Sequence, residues 1–346
     1  MKKVILGNSG TAVSTMCLGT MYFGSRVEEQ RAFAIMDAYY EHGGRFLDTA
    51  NNYVFWLDGF TGDESELLVG KWMRARKNRH EVFLATKCGV RPAGKNPDGS
   101  PVFEGLSKKA IENAINGSLQ RLGVDGVDLY YIHVDWRWEP LEETLEALNG
   151  IVKAGKVRHI ACSNMATWRV VKAKEISRRE GWPEFVGIQN WFSYLRPRYG
   201  ADMWVQKFVD DELLDYCQTE QDLTILPYTS TLGGLYAWDS IYDKNHPALN
   251  NRFFSEDNER RLSAIQEIAK ARNVTPFRVM FAWMLSRKLS IVPILGVSKV
   301  SQLEDNLGAL DLTLTDAEIE RLDQAAFNGK TYKEPEEINL LESSIS

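Results

Sequence analysis

Short apolar runs alternate along this chain with longer stretches in which apolar residues return every three or four positions. The runs are TMCLG (15–19), RFLD (45–48), EVFLATK (81–87), VDLYYIH (127–133), VRHIACS (157–163), EFVGIQ (184–189), LTILPY (223–228) and LSIVPI (289–294). Between them, helical spacing predicts helices over 27–43, 63–76, 107–123, 140–153, 166–179, 209–219 and 275–286. Ser107 is placed to cap the 107–123 helix and Gly123 to stop it. The strand runs are apolar throughout, as a parallel sheet covered on both faces requires. Eight such strands alternating with helices predict an α/β fold, a (β/α)8 TIM barrel. Before the first strand, KKVILGNSGTAVS reads as a β-hairpin capping the N-terminal end of the barrel.

A doubly wound dinucleotide-binding domain with a second domain is the competing architecture, but no G-x-G-x-x-G follows a strand at a helix start. The predicted organisation is therefore one barrel domain over 1–346. Its tail, Asn328 to Ser346, departs from barrel periodicity and is read as a strap over the rim or on the outside. The loops at 49–63, 88–106, 189–208 and 229–258 are long. All follow strands, on the rim where barrels place their chemistry.

Composition narrows the classes. The 346 residues include 44% hydrophobic and 25% charged, enough for a sizeable core. A formal net charge of −6 without a Lys/Arg block argues against nucleic acid as a partner. No apolar run is long enough for a membrane span, and the N-terminus lacks the apolar stretch of a signal peptide. Cys17, Cys88, Cys162 and Cys217 show no C-x-x-C spacing. They read as reduced thiols of a cytoplasmic protein, with no metal site.

Asp48 ends the second run, Lys87 the third and His133 the fourth, so consecutive strands aim all three at one mouth, and Tyr53 lies just beyond Asp48. Each residue alone has a plain structural use: a turn cap, rim packing, a snorkelling amine, a core histidine. Together, polar groups at equivalent ends of buried strands are costly unless they pair.

The set DTANNY, LATKCG, LYYIHVD, GKVRHIACSN, VGIQNWFSY and GVSKVSQLEDN, in this order, resembles the aldo-keto reductase superfamily over about residues 3 to 325. The resemblance implies a catalytic tetrad of Asp48, Tyr53, Lys87 and His133, with a nicotinamide across the barrel mouth. Reduction of a carbonyl by hydride leaves an alkoxide to be protonated, a task for Tyr53. A phenol with a pKa near 10 is a weak acid at neutrality. A neighbouring ammonium, Lys87 held by Asp48, is expected to lower that value, and a neutral His133 to donate a hydrogen bond to the substrate oxygen.

The resemblance further implies that Ser163, Asn164 and Gln189 bind the carboxamide and that Tyr228 stacks on the ring. Thr229 and Leu232 belong to a pyrophosphate loop, YTSTLGGLY, in which Ser230 replaces the usual proline. Gly296, Ser298, Lys299 and Gln302 would hold a 2′-phosphate at a helix N-terminus, with Asp305 and Asn306 at the adenine. Gly19, Thr20 and Asp48 would approach the cofactor from below. NADP, as NADPH, is expected over NAD.

Six of the ten tryptophans, Trp56, Trp136, Trp138, Trp191, Trp204 and Trp238, fall in loops after strands. They read either as anchors that pack large loops or as the wall of a pocket for a sugar, keto-sugar or aryl carbonyl. Trp56, Trp136, Trp138 and Trp191 are the candidate substrate contacts, with Asp135 and Arg137 as hydrogen-bonding groups. The expected oxidoreductase acts on a small molecule as a monomer or homo-oligomer. Two other readings stay open: a non-catalytic nucleotide-sensing accessory subunit, and a Schiff-base aldolase using Lys87.

Overall fold

The structure is a computed structural model describing residues 1–243 and 252–325; the predicted strap at 328–346 lies outside them. Numbered in chain order, the chain opens with a hairpin, β1 (Lys3–Ile5) and β2 (Ala12–Ser14), then β3 (Cys17–Gly19), β4 (Phe46–Asp48) and β5 (Phe83–Cys88). A second hairpin follows, β6 (Pro92–Lys95) and β7 (Pro101–Phe103). Then come β8 (Val127–Ile132), β9 (Val157–Ser163), β10 (Phe185–Gln189), β11 (Thr224–Ile225) and β12 (Ile294–Gly296). The helices are α1 (Glu29–Glu41), α2 (Glu64–Arg76), α3 (Lys108–Leu122), α4 (Leu141–Lys153), α5 (Thr167–Glu180), α6 (Asp211–Glu220), α7 (Glu256–Arg272), α8 (Pro276–Leu285), α9 (Val300–Leu307) and α10 (Asp316–Asp323).

Eight parallel strands run in the order β11-β10-β9-β8-β5-β4-β3-β12. The sheet closes where Ile225 N donates to Ser290 O (2.9 Å) and Val292 N to Ile225 O (2.9 Å). Pro293 has no N–H to add, so the eighth regular strand begins at Ile294, at the end of the predicted run. The fold is the expected (β/α)8 barrel.

Strand alternation sorts the core into two layers. Inside the barrel sit Cys17, Phe46, Phe83, Ala85, Leu129, Tyr131, Ala161, Val186, Leu226, Val292 and Ile294. Their sequence neighbours Leu18, Leu47, Leu84, Tyr130, Ile160 and Leu295 face the helices. The N-terminal hairpin closes the lower end with Leu6 and Val13, which join the inner layer. It is pinned by Gly7 N donating to Thr224 Oγ1 (2.7 Å) and by a Thr11–His159 side-chain bond (2.9 Å).

Helix boundaries follow their caps. Ser107 accepts from Ala110 N, and Gly123 takes the left-handed conformation (φ 67) that closes α3. Two helices escaped the periodicity reading. In α7, charged residues outnumber a narrow stripe of Leu262, Ile265 and Ile268, while α10 is short and begins at a Thr315–Glu318 capping box. No described helix is long and apolar enough to cross a membrane, and all four cysteines are free and buried.

Candidate active site

The inward face of each strand is apolar at its lower end and polar at its upper end. Phe46 and Asp48 share one face of β4; Phe83, Ala85 and Lys87 share one face of β5; Leu129, Tyr131 and His133 continue one face along β8. Two-residue periodicity thus carries three chemically distinct side chains to one mouth. Lys87 is 0% and Asp48 1% exposed.

The Lys87 ammonium has three donors and uses all of them: to Asp48 Oδ1, to Thr49 O (2.7 Å) and to the Tyr53 hydroxyl oxygen (2.6 Å). Tyr53 in turn donates to Asp48 Oδ1 (3.2 Å), and Gln189 Nε2 donates to Asp48 Oδ2 (3.0 Å). The carboxylate is satisfied on both oxygens and the ammonium is saturated. A charge pair this deeply buried survives only when so paired. The Tyr53 and His133 rings meet edge to face, 6.0 Å between centroids. Just past Tyr53, Val54 is forced to φ 66, and Asn164 (φ 53), Thr229 (φ 55) and Leu232 (φ 52) are likewise left-handed. Such conformations each cost about 1–3 kcal/mol for non-glycine residues, strain that gathers at functional sites.

Burial sets the proton positions. It pushes the Tyr53 phenol well above its ordinary value, and the Asp48 carboxylate pushes the same way. Burial draws Lys87 down, with Asp48 opposing, and holds His133 well below the usual imidazole range, with Lys87 adding to the effect. The expectation that Lys87 makes Tyr53 more acidic is corrected here. The ammonium is shared with Asp48, whose negative charge sits at the same hydroxyl, so the proton stays on the phenol. The same burial favours the neutral form of His133.

Around this centre, the carboxamide candidates bind one another. Ser163 Oγ donates to Gln189 O (2.7 Å), and Asn164 Nδ2 donates to Ser163 Oγ (3.1 Å) and His133 O (3.0 Å). Asn164 Oδ1 accepts from Tyr228 OH (2.8 Å) and Lys207 N (3.2 Å). Among the buried atoms without a partner are Asn190 Oδ1, Ser230 Oγ and the Trp191 indole N–H. All three lie inside the motifs VGIQNWFSY and YTSTLGGLY, and of them Asn190 is the one with no role assigned from the sequence.

Two expected cofactor contacts have other duties. Thr20 is fully buried, and its hydroxyl donates to Asp48 O (3.0 Å) and bonds Ser65 Oγ (2.8 Å), bracing the strand end that carries Asp48. Asp305 accepts from Thr275 Oγ1 (2.6 Å) and Arg278 Nε (2.8 Å), tying α9 to α8. Both therefore have structural roles. Gly19 is in register with Gly296. A Cβ on Gly296 would meet nothing within 4 Å, so this strand end opens onto free space. Beyond it, Ser298 N and Oγ donate to Gln302 Oε1 (2.8 and 3.1 Å), Lys299 is the exposed N-cap of α9, and Asn306 is buried.

The rim carries an aromatic row. Trp136 stacks on Trp138 (4.3 Å, 14°) and on Phe103 (5.5 Å, 20°); Phe103 meets Phe55 (6.1 Å), and Phe55 meets Trp56 (5.3 Å). The Trp136 indole N–H donates to Gly89 O (2.6 Å), fixing its plane. Trp56 and Trp138 are 48% and 59% exposed, so the row ends in open surface. Trp191 is instead buried against Tyr228 and Phe253. Asp135 is gripped by Arg169 (2.7 and 3.0 Å) and Arg137 (3.2 Å), which braces this loop. Sequence reasoning missed Phe55 and Phe103. Phe103 sits on the β6–β7 hairpin, whose Asn-Pro-Asp-Gly-Ser turn was the available signal.

Comparisons with known proteins agree with this geometry. A model described as the aldo/keto reductase family matches residues 15–326. The chain is 31% identical to the norsolorinic acid reductase stcV of Emericella nidulans, over 92% of this chain and 79% of that one. It is 31% identical to the oxidoreductase YrpG of Bacillus subtilis, over 97% and 99%. It is 27% identical to an aryl-alcohol dehydrogenase of Pestalotiopsis microspora, over 98% and 88%. In fold it superposes on a thermostable aldo-keto reductase, solved with the inhibitor epalrestat, with a TM-score of 0.70 and 24% identity, covering 94% and 100% of the two chains. The tetrad-bearing strands, the barrel they close and the matched family model lead to one conclusion: this chain belongs to the aldo/keto reductase family of oxidoreductases.

Proposed function

We propose that this single-domain barrel is a cytoplasmic NADP-dependent carbonyl reductase, reversible as an alcohol dehydrogenase, whose substrates are planar aryl aldehydes or ketones. The carrying observation is the Lys87 ammonium held between Asp48, Thr49 O and the Tyr53 hydroxyl inside the mouth. A Schiff-base lysine must be free and neutral when it attacks, whereas this one has every N–H engaged. The trio instead poises a protonated phenol at the rim of the cavity.

The residues present fit a dinucleotide. Buried Asn190 Oδ1 and Ser230 Oγ await polar partners, and satisfying such atoms is worth about 1–3 kcal/mol each. Tyr228, its hydroxyl fixed by Asn164, offers a ring face for stacking. Ser163, Asn164 and Gln189 can serve the carboxamide by exchanging one of their internal bonds. Thr229 and Leu232 shape the loop for the pyrophosphate. Lys299 makes no ion pair among the described residues, and Ser298, Lys299 and the first amides of α9 suit a 2′-phosphate. This favours NADP, with NAD the weaker ligand.

When bound, the nicotinamide supplies the hydride. Tyr53 protonates the nascent alkoxide, and Lys87, itself held by Asp48, keeps the phenol oxygen in place and balances the charge left on it. The aromatic row from Trp56 to Trp138 gives a flat substrate a stacking surface, which favours aryl carbonyls over sugars among the classes the sequence admits.

The test is a spectrophotometric screen of aryl aldehydes, keto-sugars, sugars and short aliphatic aldehydes against NADPH and NADH in parallel. Aryl aldehydes with NADPH are expected to give the highest kcat/KM. Absence of turnover with every carbonyl, or preference for aliphatic aldehydes, overturns the reading.

A further inference from the structure

The loop that carries Tyr53 is gripped from a single place. Asn51, two residues before the phenol, is 0% exposed. Its Nδ2 donates to Glu104 Oε1 (2.9 Å), and its backbone O accepts from Arg91 Nη1 (2.6 Å). Arg91 and Glu104 flank the β6–β7 hairpin and close its base, where Glu104 N donates to Arg91 O (2.9 Å). Both jaws of the clamp therefore belong to one hairpin. The same guanidinium reaches Asp63 Oδ1 (2.6 Å), so the Tyr53 loop is held on both sides of its phenol. Glu104 Oε1 also accepts from Gly89 N (2.6 Å), the residue whose carbonyl fixes the Trp136 indole. In sequence Glu104 directly follows Phe103 of the aromatic row. A flipped Asn51 amide would set its oxygen against a carboxylate oxygen, so the charge it meets fixes its orientation. Burial raises the Glu104 carboxyl, and the donors from Asn51, Gly89 and Arg91 oppose that. A brace for the hairpin alone would need only the Gly89 bond.

We propose that Glu104 is a positioning residue for the phenol: through Asn51 it ties the hairpin that carries Phe103 to the loop that carries Tyr53, so that the aromatic row and the acid keep one spacing. Its effect on turnover rests on the carbonyl-reductase reading above; the clamp itself does not. Glu104 acts through Asn51 and not on the reacting atoms. A ring seated on the row meets Tyr53 at a set distance only while hairpin and loop move as one body.

Glu104→Gln and Glu104→Met are close in length, and only glutamine keeps an oxygen for Asn51 and Gly89. Amide hydrogen exchange of the ligand-free protein reads the clamp directly, because it reports local opening. Glu104→Met is expected to speed exchange across 49–63 and 88–106 while leaving the N-terminal hairpin as it was, and Glu104→Gln to stay close to wild type. In kinetics with NADPH, Glu104→Met is expected to lower kcat roughly 10- to 100-fold, the cost of a slightly misplaced group. The fall applies to benzaldehyde and to a short aliphatic aldehyde alike, since it comes from Tyr53 and not from stacking. Asn51→Ala should lose a similar factor, and the double variant no more than either single one, because both remove the same bond. If Glu104→Met does not fold, Asn51→Ala makes the same test from the other side, with faster exchange expected in 49–63. Unchanged exchange there, in whichever variant folds, overturns the proposal. So do a Glu104→Gln variant as impaired as Glu104→Met, a change confined to KM for the aryl substrate, and losses that multiply in the double variant. If wild type turns over no carbonyl, the carbonyl-reductase reading falls, while the exchange data still decide the clamp.

Discussion

The lower and upper halves of the barrel interior are built on the same strands and the same inward faces, yet they solve opposite problems. Below, Phe46, Phe83, Leu129 and Val186 meet above the hairpin residues Leu6 and Val13 in one apolar cluster. Above, two to four residues further along those strands, Asp48, Lys87 and His133 occupy the same faces. The lower half needs only shape. The upper half needs every polar atom paired, and it stays buried because Lys87, Asp48, Tyr53 and Gln189 satisfy one another. Stability and chemistry are thus divided along the barrel axis. Only the upper half is vulnerable to losing a single partner.

That contrast can be broken at its centre. Asp48→Ala strands a buried ammonium and is expected to reduce unfolding free energy by about 3–5 kcal/mol, measured by chemical denaturation. Asp48→Leu with Lys87→Met, which extends the apolar lower core upward, is expected to regain most of that loss while abolishing turnover. If the double variant is no more stable than Asp48→Ala, the mouth is not held together by mutual pairing.

Titration sharpens the same contrast. The Tyr53 value is raised in the folded protein, so the phenol keeps its proton through neutrality and falls away only in strong base. Carbonyl reduction, which uses the protonated form, is expected to have a flat kcat/KM from about pH 6 to 9. Alcohol oxidation, which uses the deprotonated form, rises about tenfold per pH unit over that range. The His133 value is depressed, so its contribution to stability is present above the unfolded value of about 6.5 and is lost as pH falls through the folded one. A reduction rate falling with a midpoint near neutrality contradicts the raised phenol.

Smaller effects are expected at the rim. Phe103→Ala or Trp136→Ala removes one stacked pair, worth about 0.5–1.5 kcal/mol beyond its area. It should raise KM for aryl aldehydes several-fold while leaving a short aliphatic aldehyde within about twofold. Smallest of all, Lys299→Met is expected to weaken NADPH binding several-fold and NADH binding hardly at all, in keeping with one exposed charge contact.

What the sequence made legible follows the same division. Strand alternation is a local rule, so the barrel and the convergence of Asp48, Lys87 and His133 could be read from spacing alone. The caps of α3 were equally plain, because Ser107 and Gly123 act within a turn of themselves. What depended on partners distant in sequence was lost. The bonds of Thr20 to Ser65 and of Asp305 to Arg278 are tertiary, so their bracing roles could not be read from spacing. The direction of the Tyr53 shift turned on how Lys87 is shared with Asp48, which no spacing reveals. Phe55 and Phe103 gained meaning only when the β6–β7 hairpin brought them beside Trp136. That hairpin is exposed and rich in Pro and Gly, so it lacked the apolar run used to find strands.

The most direct test of carbonyl chemistry at this mouth compares wild type with Tyr53→Phe, following NADPH oxidation by an aryl aldehyde while nucleotide binding is measured by tryptophan fluorescence. Expected is a fall in kcat of about 10²–10⁴, the usual worth of a positioned acid, with the NADPH Kd unchanged within about twofold. Turnover by Tyr53→Phe close to that of wild type, or a wild-type protein that binds no nucleotide, contradicts it.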